Sequence, residues 1–224
     1  MSTEINWPEI ATRYKKLYSA LLYDTLEEFG YPDQALAPEL RPIEMNMKVA
    51  GPAFTVRGSN CPSKEKKEIG LEMIESLTEH SVCVFDTGTD DVAAHWGEIT
   101  STAARGMGCV GTVIDGGVRD SAYVVEMGYP VFARYQTPVE AFGRFEIIEW
   151  QKPVNMAGAT SKRVTVNPGD YIFGDMDGVM VIPSDVIIKA LEHAEELFAT
   201  ESKVREALKT GEAPLEVFRR FGVF

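Results

Sequence analysis

The segment Cys109-Val-Gly-Thr-Val-Ile-Asp-Gly-Gly-Val-Arg-Asp120 holds the residues of this chain best suited to chemistry: a short β-branched run, two adjacent glycines, then an arginine beside an aspartate. Residues 110–114 read as a buried strand, since the run is continuous, apolar and bounded by glycine. Gly116 and Gly117 permit a sharp turn or a close approach of the backbone to a ligand. Arg119 offers a planar fork of donors matched to a carboxylate, and Asp120 offers the hard oxygen that Mg²⁺ prefers. Together they could grip an anionic substrate and a divalent cation. The same two residues would also suit an ordinary helix start, with Asp120 against the N-terminal dipole and Arg119 in a surface ion pair.

Other candidates are weaker. His80, His95 and His193 are scattered, with no H-x-x-x-H or cysteine-paired spacing, so zinc is not expected and any metal would be oxygen-ligated Mg²⁺ or Mn²⁺. His95, beside Trp96, reads as a structural or surface histidine ahead of a cleft residue. Asp86, Asp90 and Asp91 could attract a cation but also suit a polar loop. Counting from Asp175, the twelfth position of a calcium loop would be Val186, so Asp175-Met-Asp177-Gly178 reads as a hairpin turn. No Gly-x-Ser-x-Gly elbow, phosphate loop or dinucleotide fingerprint appears. Lys48 is the least poor candidate for a desolvated nucleophilic lysine. Cys83 and Cys109 lie in apolar runs and read as small buried hydrophobes.

The elements that must position these residues follow from periodicity. A helix is expected over about residues 8–30, with Asp24 on its solvated side and Gly30 as its stop. Residues 49–56 look like a strand bent near Pro52, which suggests an edge or a strand start. A helix over 64–79, a strand over 82–85, a polar loop, a helix over 97–105 and the strand at 110–114 give the order of a βαβ crossover. Ligands favour the carboxyl ends of such strands, where Gly97-Glu98 and Gly116-Gly117 would lie. A short helix over 121–127 and a strand over 131–134 follow. Residues 146–150, 164–166, 171–173 and 179–182 read as strands between Pro-Gly and Asp-Gly turns. Pro183 closes the last strand, and a C-terminal helix runs over about 185–210.

The 224 residues fit one domain, and 34 acidic against 22 basic side chains give a formal charge of −12. That sign disfavours nonspecific binding to nucleic acid and suits a basic protein partner. No apolar run approaches a membrane span of roughly 18 residues, no signal-peptide pattern opens the chain, and three scattered cysteines suit a reducing, cytoplasmic setting.

Three motifs together, Gly111-Thr-Val-Ile-Asp-Gly-Gly-Val-Arg-Asp120, Gly128-Tyr-Pro-Val-Phe-Ala-Arg134 and Pro168-Gly-Asp-Tyr-Ile-Phe-Gly-Asp-Met-Asp-Gly-Val-Met-Val-Ile-Pro183, resemble the RraA-like family. That family includes the 4-hydroxy-4-methyl-2-oxoglutarate (HMG) and 4-carboxy-4-hydroxy-2-oxoadipate (CHA) aldolases and the regulator of ribonuclease activity A. The resemblance implies a single α/β domain over 1–224 with a swivelling β/β/α-type core and flanking N- and C-terminal helices. It further implies a homotrimer or a dimer of trimers with sites at subunit interfaces. In the aldolases the motif arginine binds the pyruvyl group and corresponds to Arg119; the motif aspartate ligates the metal and corresponds to Asp120. The family's Gly-Asp-x-Leu substrate loop, with its backbone amides and acidic side chain, corresponds to Gly97, Glu98, Ile99 and Thr100, with Glu in place of Asp. A glutamate from a neighbour's C-terminal helix completes the aldolase site, and Glu201 is its best match. The activity implied is a Mg²⁺- or Mn²⁺-dependent aldolase acting on a small 2-oxo acid, with oxaloacetate decarboxylation on the side. The alternative is a non-catalytic regulator docking a ribonuclease or other basic protein.

Overall fold

Alternating apolar residues along the central strands divide the interior into layers. In a computed structural model, which describes residues 5–62, 68–88 and 90–223, Val82 and Val84 face one buried cluster while Cys83 and Phe85 face another. This is the period-two consequence of a pleated strand buried on both sides. Seven helices and eleven strands are assigned among the described residues. The chain opens with α1 (Trp7–Tyr14) and α2 (Ser19–Glu28), then β1 (Arg41–Pro42), β2 (Val49–Asn60), α3 (Ile69–Glu75), β3 (Val82–Asp86), β4 (Ala94–Trp96) and α4 (Glu98–Gly106). It continues through β5 (Gly111–Val118), α5 (Ser121–Glu126), β6 (Val131–Gln136), β7 (Phe145–Trp150), β8 (Val154–Ala157) and β9 (Arg163–Val166). It closes with β10 (Tyr171–Asp175), β11 (Gly178–Ile182), α6 (Ile187–Lys209) and α7 (Pro214–Phe221).

The main sheet runs β1-β6-β5-β3-β2-β10-β11, with β4 beside β5 and β7 beside β2. The strands β2, β3, β5 and β6 pair in parallel, as the βαβ order predicted, and the β10–β11 hairpin turns at Asp175–Gly178. Arg41 reaches from β1 to the Met176 carbonyl in that hairpin (2.9 Å), bringing the two ends of the sheet together into a nearly closed barrel. The β8–β9 hairpin packs one face, Val154, Met156, Val164 and Val166, on Phe132 and Val113 and leaves Asn155, Arg163 and Thr165 exposed on the other. Helices α1, α2 and α6 cover Tyr171 and Phe173, while α3, α4 and α5 cover the opposite wall. This is the mixed α/β fold with flanking helices expected above.

Several elements differ from expectation. The helix expected over 8–30 is two helices, because tertiary groups hold a break at residues 15–18. Lys48 Nζ donates to the Lys15 and Leu17 carbonyls (3.1 and 2.8 Å), and Asp175 accepts from Ser19 N and Oγ (2.9 and 2.7 Å) at the start of α2. Lys48 is therefore bound to backbone, with a cation–π contact to Phe173, and is not a desolvated nucleophile. Pro52 is not at an edge: β2 pairs β10 through residues 49–52 and β3 from Ala53, so the proline sits where a central strand changes partners. Helix α3 occupies only 69–75 of the expected 64–79, of which residues 64–67 lie outside the described set. β1, β4, β8 and α7 were not expected from the sequence. Val217 seats α7 on Val204 and Ala207 of α6.

Candidate active site

The largest departure concerns Gly116 and Gly117. They make no turn; β5 continues through them to Val118, buried throughout. Glycine is required there by side chains arriving from elsewhere. A Cβ on Gly116 would lie 2.6 Å from His95 Nδ1, and one on Gly117 2.4 Å from the Tyr135 ring and 2.6 Å from the Ala93 carbonyl. The strand thus carries its chemistry two residues further, to Arg119 and Asp120, where the chain turns.

Asp120 adopts the left-handed conformation (φ 57°), which aspartate tolerates better than most residues. It precedes α5 but makes no side-chain cap to it. Its Oδ2 instead receives the Glu98 N–H at 3.4 Å, the first amide of α4, and lies 3.5 Å from Arg119 Nε. Arg119 N donates to the Trp96 carbonyl (3.0 Å), tying the turn to β4. Gly97 closes the arrangement: a Cβ there would stand 2.7 Å from Asp120 Oδ2 and 3.2 Å from Arg119 Cγ. The backbone below is braced by Ser101, whose Oγ donates to the Gly97 carbonyl and accepts from Trp96 Nε1, both at 2.9 Å. Nothing in composition marked Trp96 and Ser101 as a brace; Ser101 lies at i+4 from Gly97, the spacing of a helical side chain bonding back to the backbone.

Arg119 and Asp120 line a cleft of about 200 Å³ together with Gly97, Ile99 and Thr100. The Glu140–Phe142 segment forms its second wall, which the sequence did not reveal. Both charged side chains are about two-fifths exposed (40 and 43 %), so neither is spent on a buried pair. Glu98 stands at the start of α4 with Oε1 accepting from Thr102 Oγ1 at 2.8 Å. The first-turn amides of α4 have no intrahelical acceptors and are disposed to receive an anion.

His95 forms the cleft's inner wall. Its side chain is fully buried, and its Nδ1 accepts from Gly117 N at 3.2 Å, leaving the proton on Nε2 in the neutral ring. Nε2 has no hydrogen-bond partner among the described residues, with Asp90 Oδ1 3.5 Å away. Burial lowers the histidine pKa against the opposing pull of Asp90, so the ring is neutral at pH 7. Burial would raise Asp90, but the Ala93 and Val92 amides and His95 hold it below the usual carboxylate range.

The structure therefore brings Arg119, Asp120, Gly97, Glu98, Ile99 and Thr100 together. Glu201 is elsewhere: on α6 it accepts from the Tyr18 hydroxyl and from Arg205 Nη1 (3.4 Å), and beside it Asp24 has its pKa raised by partial burial and then by the Glu201 charge. Asp86 and Asp90 bind backbone amides of their own loop. Among the described residues no group of three or more His, Cys, Asp or Glu could hold a metal ion. Asp120 nevertheless fits a Mg²⁺ or Mn²⁺ ion: a half-exposed carboxylate with one long amide contact retains free lone pairs, and Mg²⁺ commonly takes one or two carboxylates and keeps several waters.

A model of the RraA-like family (Aldolase/RraA) matches residues 19–181. Protein DlpA of Legionella pneumophila is 29 % identical over 208 residues, 91 % of this chain but 32 % of DlpA, so the chain spans about a third of that relative's length. A Halalkalibacterium halodurans protein named "Putative 4-hydroxy-4-methyl-2-oxoglutarate aldolase" is 27 % identical over 203 residues, covering 89 % of both chains. A crystal structure described under "novel cellulases from microbes associated with the gut ecosystem" superposes with a TM-score of 0.83 at 32 % identity, over 91 % of this chain and 90 % of that one. No helix among the described residues is long and apolar enough to cross a membrane.

Proposed function

The chain belongs to the RraA-like family, and from that premise we propose that it is a divalent-metal-dependent carbon–carbon lyase that cleaves 4-hydroxy-2-oxo acids such as HMG to pyruvate, with oxaloacetate decarboxylation as a side activity. The observation that carries this reading is the pairing of a half-exposed Arg119 with a half-exposed, under-bonded Asp120 at the N-terminus of α4. A cleft of about 200 Å³ takes a small acid, not a polysaccharide strand.

In the reaction the C4 hydroxyl loses its proton, the C3–C4 bond breaks, and its electron pair flows to the C2 carbonyl, giving the pyruvate enolate and a carbonyl product. Protonation at C3 then yields pyruvate. Arg119 binds the pyruvyl carboxylate and the developing negative oxygen, a charge larger in the transition state than in the substrate. The first-turn amides at Ile99 and Thr100 orient the substrate carboxylate. Glu98 is the acid–base candidate for the C4 hydroxyl, on an arm that Thr102 steadies. Asp120 would hold the Mg²⁺ or Mn²⁺, which supplies Lewis-acid stabilisation of the C2 oxygen. Glu201 of a second copy would complete the site in a homotrimer or a dimer of trimers.

The charge of −12 favours a second reading, docking of a basic protein partner without turnover. Pyruvate release from HMG, CHA and oxaloacetate, with Mg²⁺ or Mn²⁺ and again with EDTA, tests the first. Metal-dependent release is expected. No release from any of the three, together with salt-sensitive binding of an arginine-rich peptide, would establish the second.

A further inference from the structure

His95 stands in the cleft wall at an irregular point of the sheet, and the mechanism above gives it no task. In β4, Ala94 pairs with Gly117 and Trp96 with Val118, so His95 is the extra residue of a bulge. A bulge re-aims a side chain. Here the ring turns onto β5, into the space where a Cβ on Gly116 would lie, and meets Phe145 edge-on at 4.4 Å and Phe85 at 6.1 Å.

β5 is weakly supported at that point. Its pairing with β3 ends at Ile114, and its pairing with β6 shifts register between Ile114 and Gly117. Just past this interruption the Gly117 N–H donates to His95 Nδ1 (3.2 Å), and two residues on the Arg119 N–H donates to the Trp96 carbonyl (3.0 Å). Consecutive residues of β4 thus receive alternate amides of the segment that carries Arg119. One acceptor is a backbone carbonyl, which does not titrate. The other exists only in neutral imidazole, because a protonated ring carries N–H at both nitrogens and would set donor against donor at Gly117. Behind the ring, Nε2 lies 3.5 Å from Asp90 Oδ1, an oxygen that the Val92 and Ala93 amides hold in place at 2.9 and 2.8 Å.

We propose that His95 is a positioning residue for Arg119, its neutral ring holding the end of β5 so that the guanidinium meets the pyruvyl carboxylate. The assignment rests on the Arg119–Asp120 cleft binding a 2-oxo acid. Among the described residues, the titratable groups around the ring are Asp90 at Nε2, Tyr135 beyond Gly117, Cys61 and Glu146 on the outer side, and Glu140, Arg119 and Asp120 across the cleft. Burial outweighs the pull of Asp90, so the support should fail only in acid, as pH falls through a value below about 6.5.

The test is calorimetric binding of pyruvate to the full chain in Mn²⁺ buffer between pH 5 and 8, for the unaltered protein, His95→Asn and His95→Leu, counted per folded molecule. Asparagine Oδ1 can stand where Nδ1 stands and does not titrate; leucine fills similar space without an acceptor. The unaltered protein should bind with constant affinity above about pH 6.5 and about threefold or more weakly at pH 5. His95→Asn should keep its affinity within about threefold at pH 7.5 and lose the acid limb, whereas His95→Leu should bind at least about tenfold more weakly throughout. Native affinity in His95→Leu, or an acid limb retained by His95→Asn, would overturn the assignment and leave the lyase reading standing. Equal weakening in both folded variants would trace the effect to packing of the ring and overturn it too. If His95→Leu does not fold, His95→Asn decides. Absence of pyruvate binding by the unaltered protein at every pH would overturn the lyase reading and the assignment with it.

Discussion

Asp175 and Asp120 each accept from the first N–H of a helix distant in sequence, Ser19 of α2 and Glu98 of α4 respectively. Their surroundings differ. Asp175 is buried and its carboxylate is consumed: Ser19 N at 2.9 Å, Ser19 Oγ at 2.7 Å and Asp177 N at 3.0 Å. Asp120 is 43 % exposed, has one long amide contact, and sits against an arginine that is itself open to the cleft. A carboxylate whose lone pairs are filled by its own chain holds the fold. One held in place by backbone geometry, with its lone pairs left open, is available to a ligand.

The largest effects should separate these two residues. Asp120→Asn keeps a side chain that accepts the left-handed backbone, so stability should change by no more than about 0.5 kcal/mol while metal-dependent pyruvate release falls by about a hundredfold or more. Asp175→Asn should do the reverse. Unsatisfying donors at a buried helix start costs on the order of 3 kcal/mol in a urea melt, with turnover per folded molecule retained. If the two variants lost activity and stability together, the contrast would collapse.

A step smaller is Gly97→Ala. The added methyl would meet Asp120 Oδ2 at 2.7 Å, pushing the carboxylate off position, and kcat should fall about tenfold or more with a stability loss of about 1–2 kcal/mol. An alanine variant with native kinetics would show that the close approach has no bearing on the cleft.

The smallest effect concerns pH. The folded pKa of His95 lies below the ordinary value of about 6.5, so on acidification the unfolded chain takes up its proton first. The contribution is complete above about pH 6.5 and is lost as pH falls from there through the depressed folded value. Glu195, held below the usual carboxylate range by its hydrogen bond to Arg13, behaves likewise at lower pH: its contribution is present above about pH 4.5 and lost below it. His95→Gln should flatten the upper slope of stability against pH and leave the lower one; unchanged slopes would show that the histidine does not titrate differently in the fold.

Much of this architecture was legible because its signals are local. The β-branched run ending at Ile114, the apolar run at residues 82–85 and the Asp-Gly turn at 177–178 specify strands and a hairpin whatever the rest of the chain does. Arg119 and Asp120 were likewise visible as types and spacing, the Gly97–Thr100 segment through the family resemblance, and the fold brings them together. What was hidden depends on distant partners. The break at residues 15–18 needs Lys48 and Asp175; the glycines at 116 and 117 answer to His95 and Tyr135; the second wall of the cleft comes from residues 140–142, which carry no periodic signal. Glu201 shows the limit most clearly. Its pairing with Arg205 follows from i,i+4 spacing, but any role at Arg119 requires a second chain.

The most direct measurement is a Mn²⁺ titration followed by electron paramagnetic resonance on the unaltered protein, Asp120→Asn and Asp175→Asn. One tight Mn²⁺ per chain is predicted for the unaltered protein and for folded Asp175→Asn, and at least tenfold weaker binding for Asp120→Asn. Equal Mn²⁺ affinity in the unaltered protein and Asp120→Asn would contradict the assignment of Asp120 as the metal ligand.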